Sequence, residues 1–186
     1  VVKTLDRALQ KLNANDHESA LDALLTAWRA RRSTRIADVI DRVSEIVAAR
    51  RGDGGTIKGK TVKERTEKWL ETAKAKDAAD VGVLLATPWP GTWEHAMPVI
   101  EALARFPDDP RIAMALARLV EATPYDTWTS SRFYRVLFAY FNKQHDLRTL
   151  PVLEGQLDHV KSSYWKHGTR PMELAAIAKL KAYQDD

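Results

Sequence analysis

The segment Gly54–Thr61 carries the most specific chemical motif in the sequence, because it matches the G-x-x-x-x-G-K-[ST] pattern of phosphate-binding loops. In such loops, backbone N–H groups and the lysine hold nucleotide phosphates, while the final hydroxyl binds magnesium. That geometry needs a buried strand before the loop. Here the preceding residues have helical periodicity and end in Arg50 and Arg51. We therefore predict a glycine-rich basic loop over residues 51–61, and nucleotide or phosphate binding there is the lesser alternative.

Positive charge is concentrated in one region of the chain. Residues 29–76 hold 14 Lys/Arg against 7 Asp/Glu, whereas the whole chain has a net charge of +4. A solvated helix face explains much of this, since cations also stabilise helix C-termini. No zinc spacing or other nucleic-acid module accompanies the basic residues. Binding of an anion or of a nucleic-acid backbone is thus an alternative function, with candidate residues Arg31, Arg32, Arg35, Arg50, Arg51, Lys58 and Lys60.

Aromatic residues are dense between residues 89 and 141. Those in the breaks between helical patterns are candidates for partner binding, because exposed tryptophan is a common anchor of binding hot spots. The partner-binding candidates are Trp89, Trp93, Tyr125 and Trp128, together with the nearby Arg132. For three phenylalanines within the next helical pattern we predict a packing role instead: Phe133, Phe138 and Phe141.

Residues for catalysis or metal binding are not grouped in the sequence. The chain has no cysteine, which excludes disulfides and thiolate metal sites, and its five histidines lack zinc-ligand spacing. No Ser/His/Asp set has the context of a nucleophile. No apolar run is long enough to span a membrane, and no signal-peptide pattern opens the chain. We therefore expect a soluble, cytoplasmic, non-enzymatic protein without a cofactor or metal, which is part of a longer product because it begins at Val1.

Helical periodicity organises the N-terminal third of the chain. Apolar residues recur at steps of three and four in residues 4–12, 16–31 and 33–50, which favours three amphipathic helices. Asp16 is expected to cap the second helix. The expected inward residues are Leu5, Leu9 and Leu12 in the first helix, and Ile36, Val39, Ile40, Val43, Ile46 and Val47 in the third.

A self-similar pattern follows from residue 77. The segments Asp77–Leu84, Asp109–Leu116 and Asp146–Leu153 each begin with a capping aspartate and carry a leucine seven residues later. Their spacings are 32 and then 37 residues, a range typical of stacked two-helix units. A second apolar helix is predicted after each segment, over residues 93–106, 130–142 and 171–183.

The string Asp-Leu-Arg-Thr-Leu-Pro-Val-Leu-Glu at 146–154 resembles the first helix of a HEAT-type repeat, including a proline, Pro151, expected to bend it. The resemblance covers residues 77–183 and implies an all-α fold of stacked antiparallel hairpins, a short α-solenoid. It gives an N-terminal helical hairpin region at 1–50, the basic loop at 51–61 and HEAT-like repeats at 62–186, which together could form one continuous domain. HEAT-type proteins mostly bind other proteins, so the resemblance implies a non-catalytic interaction or scaffold module of a larger assembly.

Overall fold

The chain is helical throughout the part that the structure describes. The computed structural model describes residues 1–51, 97, 100–122, 130–159 and 169–183. These ranges contain no β-strand, which confirms the predicted all-α class. No helix in them is long and apolar enough to cross a membrane. The chain divides into two compact units, the first ending at residue 103 and the second beginning at residue 104.

The described part of the first unit begins with three helices joined by short turns. These are α1 (Val2–Asn13), α2 (His17–Ala30) and α3 (Thr34–Arg51). Turns of only three residues make consecutive helices run antiparallel, and α2 packs against both α1 and α3. The three periodic segments of the sequence are therefore confirmed as helices. Residues 100–103, near the end of this unit, are also helical.

The turn between α1 and α2 is held by local polar contacts. The carboxylate of Asp16 caps α2 by accepting the N–H of Ser19 at 3.2 Å, and it also accepts a hydrogen bond from Lys11 Nζ at 3.1 Å. Hydrogen bonding from the Ser19 side chain, and then from Lys11 and the Ser19 backbone N–H, lowers the pKa of Asp16. Asn15 adopts a positive φ of 64°, a conformation that asparagine tolerates better than most residues. Asp16 is thus confirmed as the predicted cap.

The core of this helix group centres on α2. Leu24, Leu25 and Trp28 from α2 are buried against Ile40 and Val43 from α3. From α1, the residues that reach this core are Ala8, Leu5 and Leu12. Removing such apolar surfaces from water supplies the main driving force for packing.

Three residues predicted to point inward instead face solvent. Leu9 is 58% exposed, Val39 37% and Ile46 41%. The predicted apolar stripes of α1 and α3 are wider than the surface that the packed helices cover. Ala8 takes the inward position on α1, and Ile36, Ile40, Val43 and Val47 take it on α3. For these three positions the prediction was wrong.

The second unit contains four described α-helices and one short 3₁₀ turn. They are α4 (Pro110–Ala122), α5 (Ser130–Phe141), the turn Leu147–Thr149, α6 (Leu150–His159) and α7 (Arg170–Ala182). Helix α5 packs against α4 and α7, while α6 also packs against both of these helices. Helix α4 begins at Pro110, directly after the predicted cap Asp109, and at this first helical position the missing N–H of proline costs no hydrogen bond.

Aromatic rings of α5 form the centre of this unit. Phe133, Phe138 and Phe141 are fully buried, which confirms their predicted packing role. Tyr134 stacks on Phe138 with centroids 5.7 Å apart, and it meets Phe133 edge-on at 5.2 Å. Such offset and edge-on ring pairs add to the free energy gained from burial alone.

Pro151 has a different role from the one predicted. The residues after Asp146 form the 3₁₀ turn, and the α-helix begins only at Leu150. Pro151 is consequently the second residue of α6 rather than an internal residue that bends it. In the first turn a proline leaves no intrahelical hydrogen bond unmade.

Replacing Ile40 and Ile46 by alanine tests the burial pattern of α3 with one residue type. We expect Ile40→Ala, a fully buried site, to lower the free energy of unfolding by about 2–5 kcal/mol. The matched Ile46→Ala, at a site 41% exposed, should cost about 0.5–1 kcal/mol. Urea unfolding followed by circular dichroism measures both, and equal losses would contradict the burial pattern.

Candidate interaction surfaces and buried polar clusters

Arg50 joins the end of α3 to the turn between α1 and α2. Its Nη1 donates to the carbonyl oxygen of Asn15 at 3.0 Å, and its Nη2 donates to Asn15 Oδ1 at 2.8 Å. These bonds engage one edge of the guanidinium. Arg50 was predicted as an anion-binding residue, and the structure places it in a bridge from the C-terminus of α3 to the turn between α1 and α2.

Arg32 lies over a tryptophan ring at the end of α2. Its guanidinium carbon is 5.6 Å from the centroid of Trp28, and its Nη1 donates to the Trp28 carbonyl oxygen at 3.1 Å. A cation at this position stabilises the C-terminal dipole and covers the buried ring. The neighbouring Arg31 is the C-cap residue of α2, and its side chain is exposed.

Arg35 and Arg42 are both exposed on α3, and neither forms an ion pair within the described part of the chain. Val39 and Ile46 alternate with these arginines along α3, at steps of four, three and four residues. All four side chains therefore fall within an arc of about 60° on the helix. We call Arg35, Val39, Arg42 and Ile46 the α3 stripe.

The acidic residues of α3 lie on another side of the helix. Asp38, Asp41 and Glu45 occupy a second arc of about 60°, rotated by about 100° from the α3 stripe. Asp38 and Glu45 are exposed and Asp41 is partly buried. Helix α3 therefore separates a basic and apolar side from an acidic side.

The other predicted site residues are largely outside the described part of the chain. Arg51 is the last residue of α3, whereas Lys58 and Lys60 lie outside the described residues, as does the rest of the glycine-rich loop. Arg132 is exposed near the start of α5. The remaining partner-binding candidates also lie outside the described residues: Trp89, Trp93, Tyr125 and Trp128.

A groove of about 480 Å³ runs between α1 and α2. It is lined by Lys3, Thr4 and Arg7 from α1 and by Ser19, Asp22, Ala23 and Thr26 from α2. The two cations favour an anionic ligand, but the carboxylate of Asp22 on the opposite wall disfavours one. Sequence analysis did not identify this groove, because its residues come from two helices and form no motif.

Two Asp-x-Arg sequences build the same buried structure at two helix starts. In the first, Asp109 Oδ1 accepts the backbone N–H of Arg111 at 3.1 Å, and Arg111 Nη2 donates to Asp109 Oδ2 at 2.7 Å. Both side chains are buried. The carboxylate of Asp109 thus both caps the start of α4 and neutralises the guanidinium of Arg111. The sequence indicated the cap, but it did not indicate the ion pair.

The second Asp-x-Arg sequence repeats these bonds before α6. Asp146 Oδ1 accepts the backbone N–H of Arg148 at 3.1 Å, and Arg148 Nη2 donates to Asp146 Oδ2 at 2.7 Å. Arg148 Nη2 also donates to the carbonyl oxygen of Pro110 at 3.3 Å. The two helix starts are therefore adjacent and linked. An arginine two residues after a capping aspartate is the sequence signal for this arrangement.

Further polar groups surround the second cap. Gln144 Nε2 donates to Thr149 Oγ1 at 3.0 Å, and the hydroxyl of Thr149 donates to the carbonyl oxygen of Asp146 at 2.7 Å. Tyr140 Oη is buried without a hydrogen-bond partner among the described residues. Burial, reinforced by the carboxylates of Asp109 and Asp146, raises the pKa of Tyr140 above its ordinary value. The phenol is therefore kept neutral.

Glu173 is the second buried group without a partner. It lies in the first turn of α7, fully buried, and neither carboxyl oxygen has a hydrogen-bond partner in the described ranges. Burial raises its pKa from 4.5 to about 8, against the opposing effect of Arg170. Thr169 Oγ1, at the N-cap of the same helix, is likewise buried and unpartnered there. At neutral pH the Glu173 carboxyl group is thus mainly protonated.

In each Asp-x-Arg sequence the aspartate and the arginine bind each other. Glu173 is buried inside the second unit. Among the described residues no group of three or more His, Cys, Asp or Glu could hold a metal ion. Two surfaces within the described ranges are candidates for binding, namely the α3 stripe and the groove between α1 and α2.

Comparisons with known proteins add no relative: no family model, curated protein or solved structure matches this chain.

Removing the charge of Asp109 should strongly destabilise the second unit. Asp109→Asn keeps an oxygen that can cap α4 but leaves the buried guanidinium of Arg111 without its counter-ion, a change that costs about 3–5 kcal/mol. The control is Glu154→Gln, because Glu154 and Lys181 form a 2.6 Å ion pair with both side chains well exposed. That change should cost at most about 1 kcal/mol. Denaturant unfolding of both variants measures the difference, and a loss for Asp109→Asn as small as the control's would refute the role of the pair.

Glu173 should make stability fall as pH rises. Its folded-state pKa of about 8 exceeds the ordinary 4.5, so between these values the folded state binds the extra proton. The contribution of Glu173 to the free energy of unfolding is therefore fully present below pH 4.5. It declines between pH 4.5 and about pH 8, by at most about 1.4 kcal/mol per pH unit. Glu173→Gln should abolish this decline and unfold later than wild type near pH 8. Unfolding measured at several pH values tests this, with Glu154→Gln as control; an unchanged slope in Glu173→Gln would contradict it.

Proposed function

We propose that this chain is a non-catalytic protein–protein interaction module of HEAT type, which acts in the cytoplasm as part of a larger protein or assembly. The α3 stripe is the observation that carries the proposal. Two exposed β-branched side chains alternate there with two arginines that have no ion-pair partner in the described residues. Exposed apolar residues beside arginine are typical of protein-binding surfaces, where arginine and large apolar side chains are enriched.

The repeated Asp-x-Arg cap is compatible with the stacked two-helix units that the proposal assumes. The same aspartate–arginine arrangement stands at the start of α4 and before α6, at positions that the sequence pattern aligns 37 residues apart. Stacked hairpins place equivalent helix starts side by side, and the bond from Arg148 to Pro110 is consistent with that placement.

Phosphate-backbone binding by the basic segment is less well supported. Such binding depends on many cations acting together, yet Arg50 is bonded to Asn15 and Arg32 lies over Trp28. The acidic residues of α3 further reduce the local positive potential. Binding of a nucleic acid, or of a nucleotide at Gly54–Thr61, stays a prediction that fluorescence anisotropy with generic DNA, RNA or nucleotide at low salt would test.

The proposal is tested by capturing partners with the α3 stripe intact and disrupted. The full chain serves as bait in lysate, beside Val39→Asp/Ile46→Asp and a control pair on the acidic side, Asp38→Asn/Glu45→Gln. We expect a captured protein, once purified, to bind the wild type and the control pair directly and to bind the stripe variant at least about tenfold more weakly, which corresponds to about 1.4 kcal/mol. Circular dichroism verifies that each bait is folded.

Two results would overturn the proposal. The first is that the wild-type bait captures no protein that also binds it after purification. The second is turnover of a substrate by the purified chain, since the proposal is of a module without catalysis.

A further inference from the structure

The α3 stripe has the length and spacing of a helix-binding surface. From Arg35 to Ile46 it spans eleven residue steps, or about 16 Å along the axis. Val39 and Ile46 are seven residues apart, the spacing at which apolar side chains recur on one side of a partner helix. A helix of about three to four turns would cover the stripe along its whole length.

The charges on the stripe call for an acidic occupant. Arg35 and Arg42 lie on either side of Val39, and both are without an ion-pair partner in the described residues. Arg35 also lies in the first turn of α3, which contains no acidic residue. A positive charge there adds to the positive end of the helix dipole, so a carboxylate from a partner would interact with both.

The acidic arc of α3 restricts how the occupant lies. Glu45 is exposed there and repels carboxylates placed on its side of the helix, whereas Arg35 and Arg42 attract them. A partner helix that carries Asp or Glu beside its apolar residues, on the flank facing Arg35 and Arg42, therefore fits this surface. A basic segment would be repelled by the two arginines, and a uniformly acidic one would be repelled by the acidic side of α3.

We propose that the α3 stripe binds an acidic amphipathic helix of a partner protein, with apolar side chains over Val39 and Ile46 and carboxylates on Arg35 and Arg42. This inference rests on the proposed function and specifies the chemistry of the partner. The mode is packing of two helices along one side, in which the apolar side chains supply affinity and the flanking charges supply selectivity.

The experiment selects helical peptides against the full chain. A display library of amphipathic helices with randomised flanking positions is enriched on the wild type and, in parallel, on Arg35→Glu/Arg42→Glu. We expect the wild type to enrich peptides with Asp or Glu beside the apolar side, and the charge-reversed chain to enrich Lys or Arg at the same positions. Individual acidic peptides should bind the reversed chain at least about tenfold more weakly by fluorescence anisotropy. Arg118→Glu, a charge reversal at an exposed residue of α4 outside the candidate surfaces, is the control and should leave their binding unchanged.

Several outcomes would overturn the inference: no enrichment on the wild type, enrichment of neutral or basic flanks, or acidic peptides that bind the reversed chain equally well. Self-association in sedimentation that is lost in Arg35→Glu/Arg42→Glu would assign the stripe to the acidic arc of a second copy instead. If peptide selection fails while a purified partner still binds the chain directly, the proposed function stands and only the acidic-helix assignment falls.

Discussion

The packing of α2 between α1 and α3 is the interaction on which the described part of the first unit depends. Neither flanking helix can bury its apolar side alone, and α2 supplies the surface for both. Its own buried residues, from Ala20 to Trp28, extend over two adjoining faces. The contact with α2 covers only part of the circumference of each flanking helix, and Leu9, Val39 and Ile46 remain exposed.

Two arginines that the sequence predicts as anion-binding residues, Arg32 and Arg50, form contacts at helix ends. Arg32 covers the end of α2, and Arg50 bonds to the preceding turn. A helix end presents carbonyl oxygens without intrahelical partners, so a nearby guanidinium with several donors is well suited to satisfy them. Arg35 and Arg42 differ because they lie along the helix rather than at its C-terminal end.

The second unit combines an aromatic centre with buried charge. The rings of α5 supply the apolar area, and the two Asp-x-Arg pairs place ionised groups beside it. A buried ion pair adds little net stability compared with an apolar replacement. It does penalise arrangements in which the charges separate. We therefore infer that the two pairs fix the residues at which α4 and α6 begin. Glu173 acts separately, because its buried carboxyl group lowers the free energy of unfolding as the pH rises.

Within the described ranges, the sequence alone determined which segments are helical and where several of them begin. Aspartate caps, the proline at position 110 and the three-to-four periodicity act within one or two turns, so they are legible without the rest of the molecule. It also indicated that three phenylalanines of α5 pack inside. Periodicity could not decide that Leu9, Val39 and Ile46 face outward, because exposure depends on how much of each helix its neighbours cover. Nor could it show Arg50 on Asn15 or Arg148 on Pro110, pairs 35 and 38 residues apart in the chain. Contacts between residues distant in sequence arise only when helices pack, and tertiary structure alone decided them.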